Sequence, residues 1–161
     1  MTQRPNHILE IKNLNVTFPI FGGIIQREIS CINAVKNFNL QVQKGETIAI
    51  VGESGSGKST LGKAIINVLK LTAPDVRITG EILIHLNKSS TDILKLNRKS
   101  MVHFRSNIQM IFQDPYSSLN PRMIVKDIIQ EPMDIQGELN ESEKQKKVLL
   151  LLDKVGLSKE Q

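Results

Sequence analysis

Hydrophobic and polar residues alternate over much of the first 45 positions, a pattern that is typical of β-strands with one buried face. The alternation slips by one position near Asn13, which indicates either one strand with a bulge or two short strands. Pro19 and Gly22-Gly23 then break the pattern, so residues 19–30 are expected to form an exposed loop. The alternating apolar positions are Leu9, Ile11, Leu14, Val16 and Phe18, then Ala34-Val35, Phe38, Leu40 and Val42. This opening predicts an antiparallel β layer.

A different pattern surrounds residues 52–60. The run Thr47–Val51 is short and apolar, as expected for a strand that is buried on both faces. After residue 60, apolar residues recur at helical spacing up to Pro74, at Leu61, Ala64, Ile65, Val68 and Leu69. The sequence GESGSGKST between these two elements fits G-x-x-x-x-G-K-[ST], the phosphate-binding P-loop.

The residue types of this motif suit the binding of a nucleoside triphosphate. Glycines let the backbone curl with its N–H groups pointing inward, and the N-terminus of the following helix adds partial positive charge. Lys58 can reach the β- and γ-phosphates, and the Ser59 hydroxyl can bind Mg²⁺. A Gly/Ser-rich turn before an ordinary helix is disfavoured, because four constrained positions coincide with the expected flanks. The candidate nucleotide ligands are Gly52, Ser54, Gly55, Ser56, Gly57, Lys58, Ser59 and Thr60.

The middle of the chain predicts two further strands. Residues 76–84 alternate cleanly, and Ile108–Phe112 is apolar and ends at Gln113-Asp114-Pro115. Residues 86–106 are more polar and are expected to form a loop with at most one helical turn.

The last 45 or so residues are predicted to be helical. A short helix from Met123 is expected to stop at Pro132. Asn140 followed by Glu143 predicts a capping box, and Gly156 lies where a helix C-cap belongs. The run Val148–Asp153 also resembles a Walker B strand, but the capping signal and the charged residues that precede the run, within positions 141–144, favour an amphipathic helix.

Composition restricts the class of protein. The 161 residues suit one domain, and 40% hydrophobic with 23% charged residues is typical of a soluble globular protein. No apolar run has the length of a membrane span, and residues 1–5 lack a secretory signal, so a cytoplasmic location is expected. The single Cys31 fits a reducing compartment. The net charge is +5, but without aromatic residues among the basic ones no nucleic-acid partner is predicted.

The P-loop and a second motif together resemble the ATP-binding subunits of ABC transporters. The second motif is the run from Phe112 to Pro121, FQDPYSSLNP, and the stretch Phe18-Pro19-Ile20 with its inserted loop is also similar. These features resemble the oligopeptide/dipeptide (peptide/nickel) import group, over residues 8–161.

The resemblance implies a function and several roles. It implies ATP and Mg²⁺ as cofactors, with Gln113 as the Q-loop glutamine that reaches Mg²⁺ or the attacking water. An aromatic residue is expected to stack on adenine; Phe18 is the best match, with Phe21 as a rival and a core role for Phe18 as the alternative. Transmembrane permease subunits and a second ATP-binding subunit are the implied partners, with a solute-binding protein acting indirectly. The implied location is the cytoplasmic face of the cell membrane.

The resemblance also implies a fold and its divisions. We expect an α/β fold with a P-loop NTPase core. Residues 1–45 are expected to form the N-terminal antiparallel β layer, residues 46–114 the P-loop core, and residues 115–161 the start of a helical subdomain. The chain ends before the family's LSGGQ signature, Walker B acids and switch histidine, so an incomplete nucleotide-binding domain is expected. Two functions therefore stay open: an ATPase subunit that energises peptide import, or a nucleotide-binding fragment without hydrolytic activity. A soluble P-loop protein, such as a kinase or a non-transport ABC ATPase, is a third, less favoured alternative.

Overall fold

The computed structural model describes residues 7–86, 89–114 and 119–157, except for the side chain of His103. The chain forms two compact units, Met1–Met110 and Ile111–Gln161. The first unit contains a four-stranded antiparallel sheet in the order β2-β1-β3-β4. This confirms the antiparallel layer that the alternating pattern predicts. The strands are β1 (His7–Gly22), β2 (Arg27–Gln43), β3 (Arg77–Leu86) and β4 (Ser89–Asp92).

The predicted loop over residues 19–30 is wrong. β1 continues to Gly22 and β2 begins at Arg27, so only a tight turn separates the two strands. β3 pairs with β1 only as far as Thr17, and Pro19 therefore lies where β1 has a single partner strand. Proline is tolerated there because one edge of the strand makes no ladder hydrogen bonds.

The predicted irregularity near Asn13 is confirmed and has a counterpart on β2. Asn13 and Asn37 both have positive φ, 48° and 46°. The N–H of Asn13 donates to Asn39 Oδ1 (2.8 Å), and the N–H of Asn37 donates to Asn15 Oδ1 (2.9 Å). The side-chain amides of Asn15 and Asn39 donate in turn to the carbonyls of Asn13 and Asn37. We call these four residues the asparagine clasp; it satisfies backbone groups that the two bulges remove from the ladder.

The hydrophobic core of the first unit lies on one face of the sheet. Helices α1 (Lys58–Ile65) and α2 (Leu69–Thr72) contribute buried side chains to it. One continuous helix was expected, but the chain breaks at Asn67, which has φ 52° and donates its side-chain amide to the Ile93 carbonyl (2.7 Å). The buried members of the core are Ile11, Leu14, Val16, Val35, Leu61, Ala64, Leu69, Val76, Ile82, Ile84 and Ile93.

Two predicted strands are absent from the described residues. Thr47–Val51 and Ile108–Phe112 form no ladder, and Ile50, Val51 and Ile111 are exposed. An apolar run becomes a strand buried on both faces only when neighbouring strands and covering layers are present. The described sheet contains only β1–β4, so these runs have no partner.

The region after β3 is more ordered than predicted. It contains β4, two 3₁₀ turns (Ile93–Lys95 and Arg105–Asn107) and helix α3 (Arg98–Phe104). Two local caps start the first 3₁₀ turn and α3: Asp92 accepts from the N–H of Leu94, and Asn97 accepts from the N–H of Ser100. Such side-chain caps explain why a polar stretch folds into short helical turns.

The second unit contains two helices that contact each other, α4 (Val125–Gln136) and α5 (Glu141–Lys154). Pro132 lies inside α4, so the predicted stop there is wrong; α4 ends at Gly137, whose φ is 69°. A proline removes only one helical hydrogen bond, and the helix continues on both sides of it. Met133 on α4 and Val148 on α5 are the buried residues of these helices.

The capping box that starts α5 is confirmed. Asn140 Oδ1 accepts from the Glu143 N–H (3.0 Å), and Glu143 Oε2 accepts from the Asn140 N–H (2.9 Å). Gly156 follows the helix with φ 77°, and the N–H of Leu157 reaches the carbonyl of Leu152, as in a Schellman end. The run that resembles a Walker B strand therefore belongs to helix α5.

Candidate nucleotide-binding site

The P-loop lies between the segment Thr47–Val51, which forms no strand, and helix α1. Gly55 and Gly57 both have left-handed φ values, 82° and 90°. A Cβ at Gly57 would lie 2.2 Å from the Ala34 carbonyl oxygen of β2, whereas a Cβ at Gly55 would meet nothing within 4 Å. Glycine at position 57 is thus required both by conformation and by the close approach of the loop to β2.

The Lys58 side chain turns back into the loop. Its ammonium group donates to the carbonyls of Gly52 (2.8 Å) and Glu53 (2.6 Å) and to Ser56 Oγ (3.2 Å). These contacts hold a full positive charge within the curl of the backbone. A phosphate oxygen that approached the loop would therefore meet this charge directly.

The start of α1 offers further donors to an anion. Gly57 is the N-cap, and no described side chain caps the helix or places an acidic group in its first turn. The first N–H groups of a helix have no intrahelical partner and carry the positive end of the helix dipole. Ser59 is exposed in this turn and Thr60 is half-buried. Backbone N–H groups, an ammonium group and hydroxyls form a donor set that fits phosphate.

A pocket of about 250 Å³ lies beside the loop. It is bordered by the P-loop, by β2 and by the segment that precedes the loop. Its lining contains two lysines, Lys36 and Lys58, and no acidic residue among those described. The lining residues are Ala34, Val35, Lys36, Phe38, Ile50, Val51, Gly52, Ser56, Gly57, Lys58 and Leu61.

The donor set suits Mg²⁺ only in combination with a nucleotide. In the described part of the chain, no three His, Cys, Asp or Glu residues lie together as a metal cluster. Ser59 is the one predicted metal ligand on α1, and a single hydroxyl is a weak ligand by itself. Mg²⁺ is commonly held by few protein groups together with substrate phosphates, and Ser59 fits that arrangement.

The two aromatic candidates do not line this pocket. Phe18 lies opposite Ile32 in the β1–β2 ladder and packs against the hydrophobic core, and Phe21 lies opposite Glu28 nearer the turn. The aromatic residue of the pocket is Phe38 on β2, which sequence reasoning assigned only to a buried strand face. Its alternation with Leu40 gave no separate signal of a binding role. The adenine contact of Phe18 stays a prediction.

Gln113 belongs to the second unit, where it is exposed on a bend that follows Phe112. Its role toward Mg²⁺ or water stays a prediction. Residues 115–118 of the second motif lie outside the described residues, and Asn120 accepts a hydrogen bond from the N–H of Arg122.

Comparison with known protein families identifies the chain. The family model described as "ABC transporter" matches residues 35–161. The chain belongs to the ABC transporter family. This confirms the family that the P-loop and the FQDPYSSLNP run indicated.

Relatives of this ABC family member include oligopeptide transport ATP-binding proteins. The chain is 40% identical to AppF of Bacillus subtilis (strain 168) over 93% of its own length and 43% of the relative's. It is 43% identical to OppF of the same organism, over 95% of its own length and 45% of that protein. It is 37% identical to OppF of Lactococcus lactis subsp. lactis (strain IL1403), over 96% of its own length and 46% of that protein. The chain thus spans less than half the length of these relatives.

Solved structures of an ATP-binding cassette, MJ0796, share the fold. A dimeric post-hydrolysis state bound to ADP and Pi is similar with a TM-score of 0.61 and 25% identity, over 94% of this chain and 59% of that one. A second dimeric structure of the same cassette gives a TM-score of 0.63 at 24% identity, over the same shares of the two chains. The predicted α/β P-loop fold with an antiparallel layer is confirmed. Among the described helices, none is long and apolar enough to cross a membrane.

Proposed function

We propose that this chain is the nucleotide-binding part of an ABC-type importer subunit that couples ATP binding and hydrolysis to the transport of peptides or a related solute. The observation that carries the proposal is the loop at Gly52–Lys58. Gly55 and Gly57 adopt left-handed conformations, and the Lys58 ammonium lies within the curl. This arrangement presents a fixed positive charge and a helix N-terminus to a phosphate group.

Each part of the loop has a proposed role toward ATP. The N–H groups of the loop and of the first turn of α1 bind phosphate oxygens. Lys58 exchanges a carbonyl partner for the β- and γ-phosphates, and Ser59 contributes a hydroxyl to Mg²⁺. Bound Mg²⁺ would neutralise part of the negative charge of the phosphates. Gln113 orients the metal or the attacking water, and Phe18 stacks on adenine; these two roles rest on the family resemblance.

The proposed partners follow from the names of the relatives. AppF and OppF are named as oligopeptide transport ATP-binding proteins, which supports peptides as the transported solute. The dimeric cassette structures support a second ATP-binding subunit as partner. We propose that transmembrane permease subunits hold the pair at the cytoplasmic face of the membrane, and that a solute-binding protein delivers the cargo.

Nucleotide affinity tests the site. Lys58→Ala should lower ATP·Mg²⁺ affinity at least about a hundredfold, because it removes a charged hydrogen-bond donor to the phosphates. Lys63→Ala is the matched control: it removes the same charge from the last turn of the same helix and should leave affinity unchanged. Calorimetric titration with ATP and Mg²⁺ measures both. Equal affinity in the wild type and Lys58→Ala would contradict the site.

The Mg²⁺ dependence of ATP binding distinguishes the proposed role of Ser59 from that of Thr60. Ser59→Ala should weaken the Mg²⁺ dependence of ATP binding while binding of metal-free ATP persists, since the hydroxyl is proposed to contact the metal. Thr60→Ala removes a hydroxyl from the next position, where a metal contact is not proposed. A larger loss of Mg²⁺ dependence in Thr60→Ala would reverse the assignment.

A second candidate is nucleotide binding without turnover by this chain alone. It is favoured by the absence of any acidic side chain among the described residues of the pocket lining. A carboxylate that polarises the attacking water would be needed for efficient hydrolysis. The 161-residue chain should then release phosphate from ATP no faster than its Lys58→Ala variant. Clear turnover above that control would exclude this candidate and support hydrolysis by the chain itself.

A further inference from the structure

The β1–β2 hairpin carries apolar side chains into solvent beyond the rest of the sheet. β3 pairs with β1 only as far as Thr17, whereas β1 and β2 remain paired to Gly22 and Arg27. Residues 18–32 therefore form a two-stranded projection, which we call the apolar ribbon. Its exposed apolar residues include Ile24 (104% exposed) and Ile25 (75%), with Phe21, Ile29 and Ile32 behind them.

The isoleucines at the end of the apolar ribbon are not explained by folding. The turn is closed by the N–H of Gln26, which donates to the Gly23 carbonyl (3.2 Å), and Ile24 and Ile25 occupy its two central positions. Turns favour Gly, Asn, Asp, Ser and Pro at such positions, and β-branched residues have no advantage there. Neither side chain is buried, so packing does not account for them. Contiguous exposed apolar residues of this kind mark an interaction surface.

Charge and composition identify the kind of surface that fits the ribbon. Glu28 is paired with Arg77, which donates to both of its carboxylate oxygens. Arg27 has no acidic side chain within ion-pair distance in the described part of the chain, so the turn carries an uncompensated positive charge. Protein interfaces concentrate their binding energy in Trp, Tyr and Arg, and of these three residue types the ribbon contains only a single arginine, Arg27. Aliphatic residues beside a cation instead match the boundary of an anionic bilayer.

We propose that the turn of the apolar ribbon inserts Ile24 and Ile25 into the surface of an anionic lipid bilayer, with Arg27 at the headgroup phosphates. This contact is separate from the nucleotide site and does not depend on the proposed function. Surface insertion reaches about 5–10 Å into the headgroup and acyl boundary. Cys31 lies six residues after Ile25 along β2, about 20 Å at strand spacing, and therefore stays in water.

This difference in depth gives a direct test. Cys31 is the only cysteine of the chain, so a polarity-sensitive dye can be placed there alone. A second version carries the dye on Ile24→Cys in a Cys31→Ser background. With vesicles of phosphatidylcholine and phosphatidylglycerol, we expect a blue shift of the dye at position 24 and none at position 31. Equal shifts at both positions, or no shift at position 24, would overturn the proposal.

Vesicle co-sedimentation of the 161-residue chain supplies the second measurement. The double variant Ile24→Ser, Ile25→Ser should bind anionic vesicles at least about tenfold more weakly, because two apolar side chains no longer leave water. Leu71→Ser is the matched control, since Leu71 is an exposed apolar residue outside the ribbon. Arg27→Gln should weaken binding to anionic vesicles and leave binding to pure phosphatidylcholine unchanged.

Two results would contradict the lipid assignment. Unchanged vesicle binding in the double isoleucine variant would exclude the turn as the contact. A wild-type dimer in sedimentation velocity that becomes a monomer in that variant, without any vesicle binding, would make the ribbon an interface between copies of this chain.

Discussion

Replacement of Gly57 by alanine tests the contact that joins the P-loop to the sheet. Both Gly57 and Gly55 have left-handed φ values, so alanine at either position costs about 1–2 kcal/mol in backbone conformation. Only at position 57 does the new methyl group meet backbone, the Ala34 carbonyl oxygen at 2.2 Å. That distance is about 1 Å inside an ordinary contact, and relieving such crowding typically costs a further 1–3 kcal/mol or so.

The two variants therefore form a matched pair. Gly57→Ala should lower the free energy of unfolding by about 2 kcal/mol more than Gly55→Ala. For a chain of this size that difference corresponds to about 6 °C in the melting midpoint. Thermal unfolding followed by circular dichroism, without nucleotide, isolates stability from ligand binding. Equal midpoints in the two variants would show that the loop does not lie tightly against β2.

Other contacts give outcomes of similar sharpness. Asn140→Ala removes the capping box of α5 and should cost about 1 kcal/mol, whereas Asn140→Ser should retain most of it; identical thermal midpoints would argue against the cap. Asn67→Ala and Asn67→Gly both lose the bond to the Ile93 carbonyl, but only alanine meets the left-handed penalty, so alanine should be less stable by about 1 kcal/mol in urea unfolding. The hydrogen bond from Lys12 holds the pKa of Glu10 below its usual range. The contribution of Glu10 to the free energy of unfolding is thus present above its unfolded pKa and is lost as the pH falls through its lowered folded pKa. Glu10→Gln should make the loss of stability at acid pH less steep. An unchanged dependence of the unfolding free energy on pH would refute this role.

Local patterns predicted much of the fold. The alternation in β1 and β3 and the Asn140 capping box depend on residues close in sequence, and all three are confirmed. The apolar run Thr47–Val51 was misassigned because a buried strand depends on neighbours that the run itself does not encode. The pattern predicted a long loop in place of the turn at residues 23–26, because Pro19 was interpreted as the end of a strand. Proline interrupts a strand only where both edges of the strand are paired, and at Pro19 β1 is paired on one edge alone.

In the candidate site, too, the features that depend on neighbouring residues in the sequence were predicted, and the contacts between distant segments were not. The spacing of Gly52, Gly57 and Lys58 predicted the loop, since its curl is a property of consecutive residues. The carbonyl of Ala34 lies close to Gly57 and Phe38 lines the neighbouring pocket, both from β2, and no pattern along the chain connects these residues with the loop. Long-range packing of this kind becomes visible only in the folded structure.

The asparagine clasp sets the register between β1 and β2. At each bulge a backbone N–H donates to an asparagine side chain of the opposite strand, so a slip of one residue would break both of these cross-strand hydrogen bonds together. Such a slip would also turn the core side chains of β2 toward solvent. The clasp lies three residues along β2 from the carbonyl of Ala34, against which Gly57 packs. Strand register thus decides which backbone oxygen faces the P-loop, and two polar side chains outside the core, Asn15 and Asn39, align the loop with the sheet.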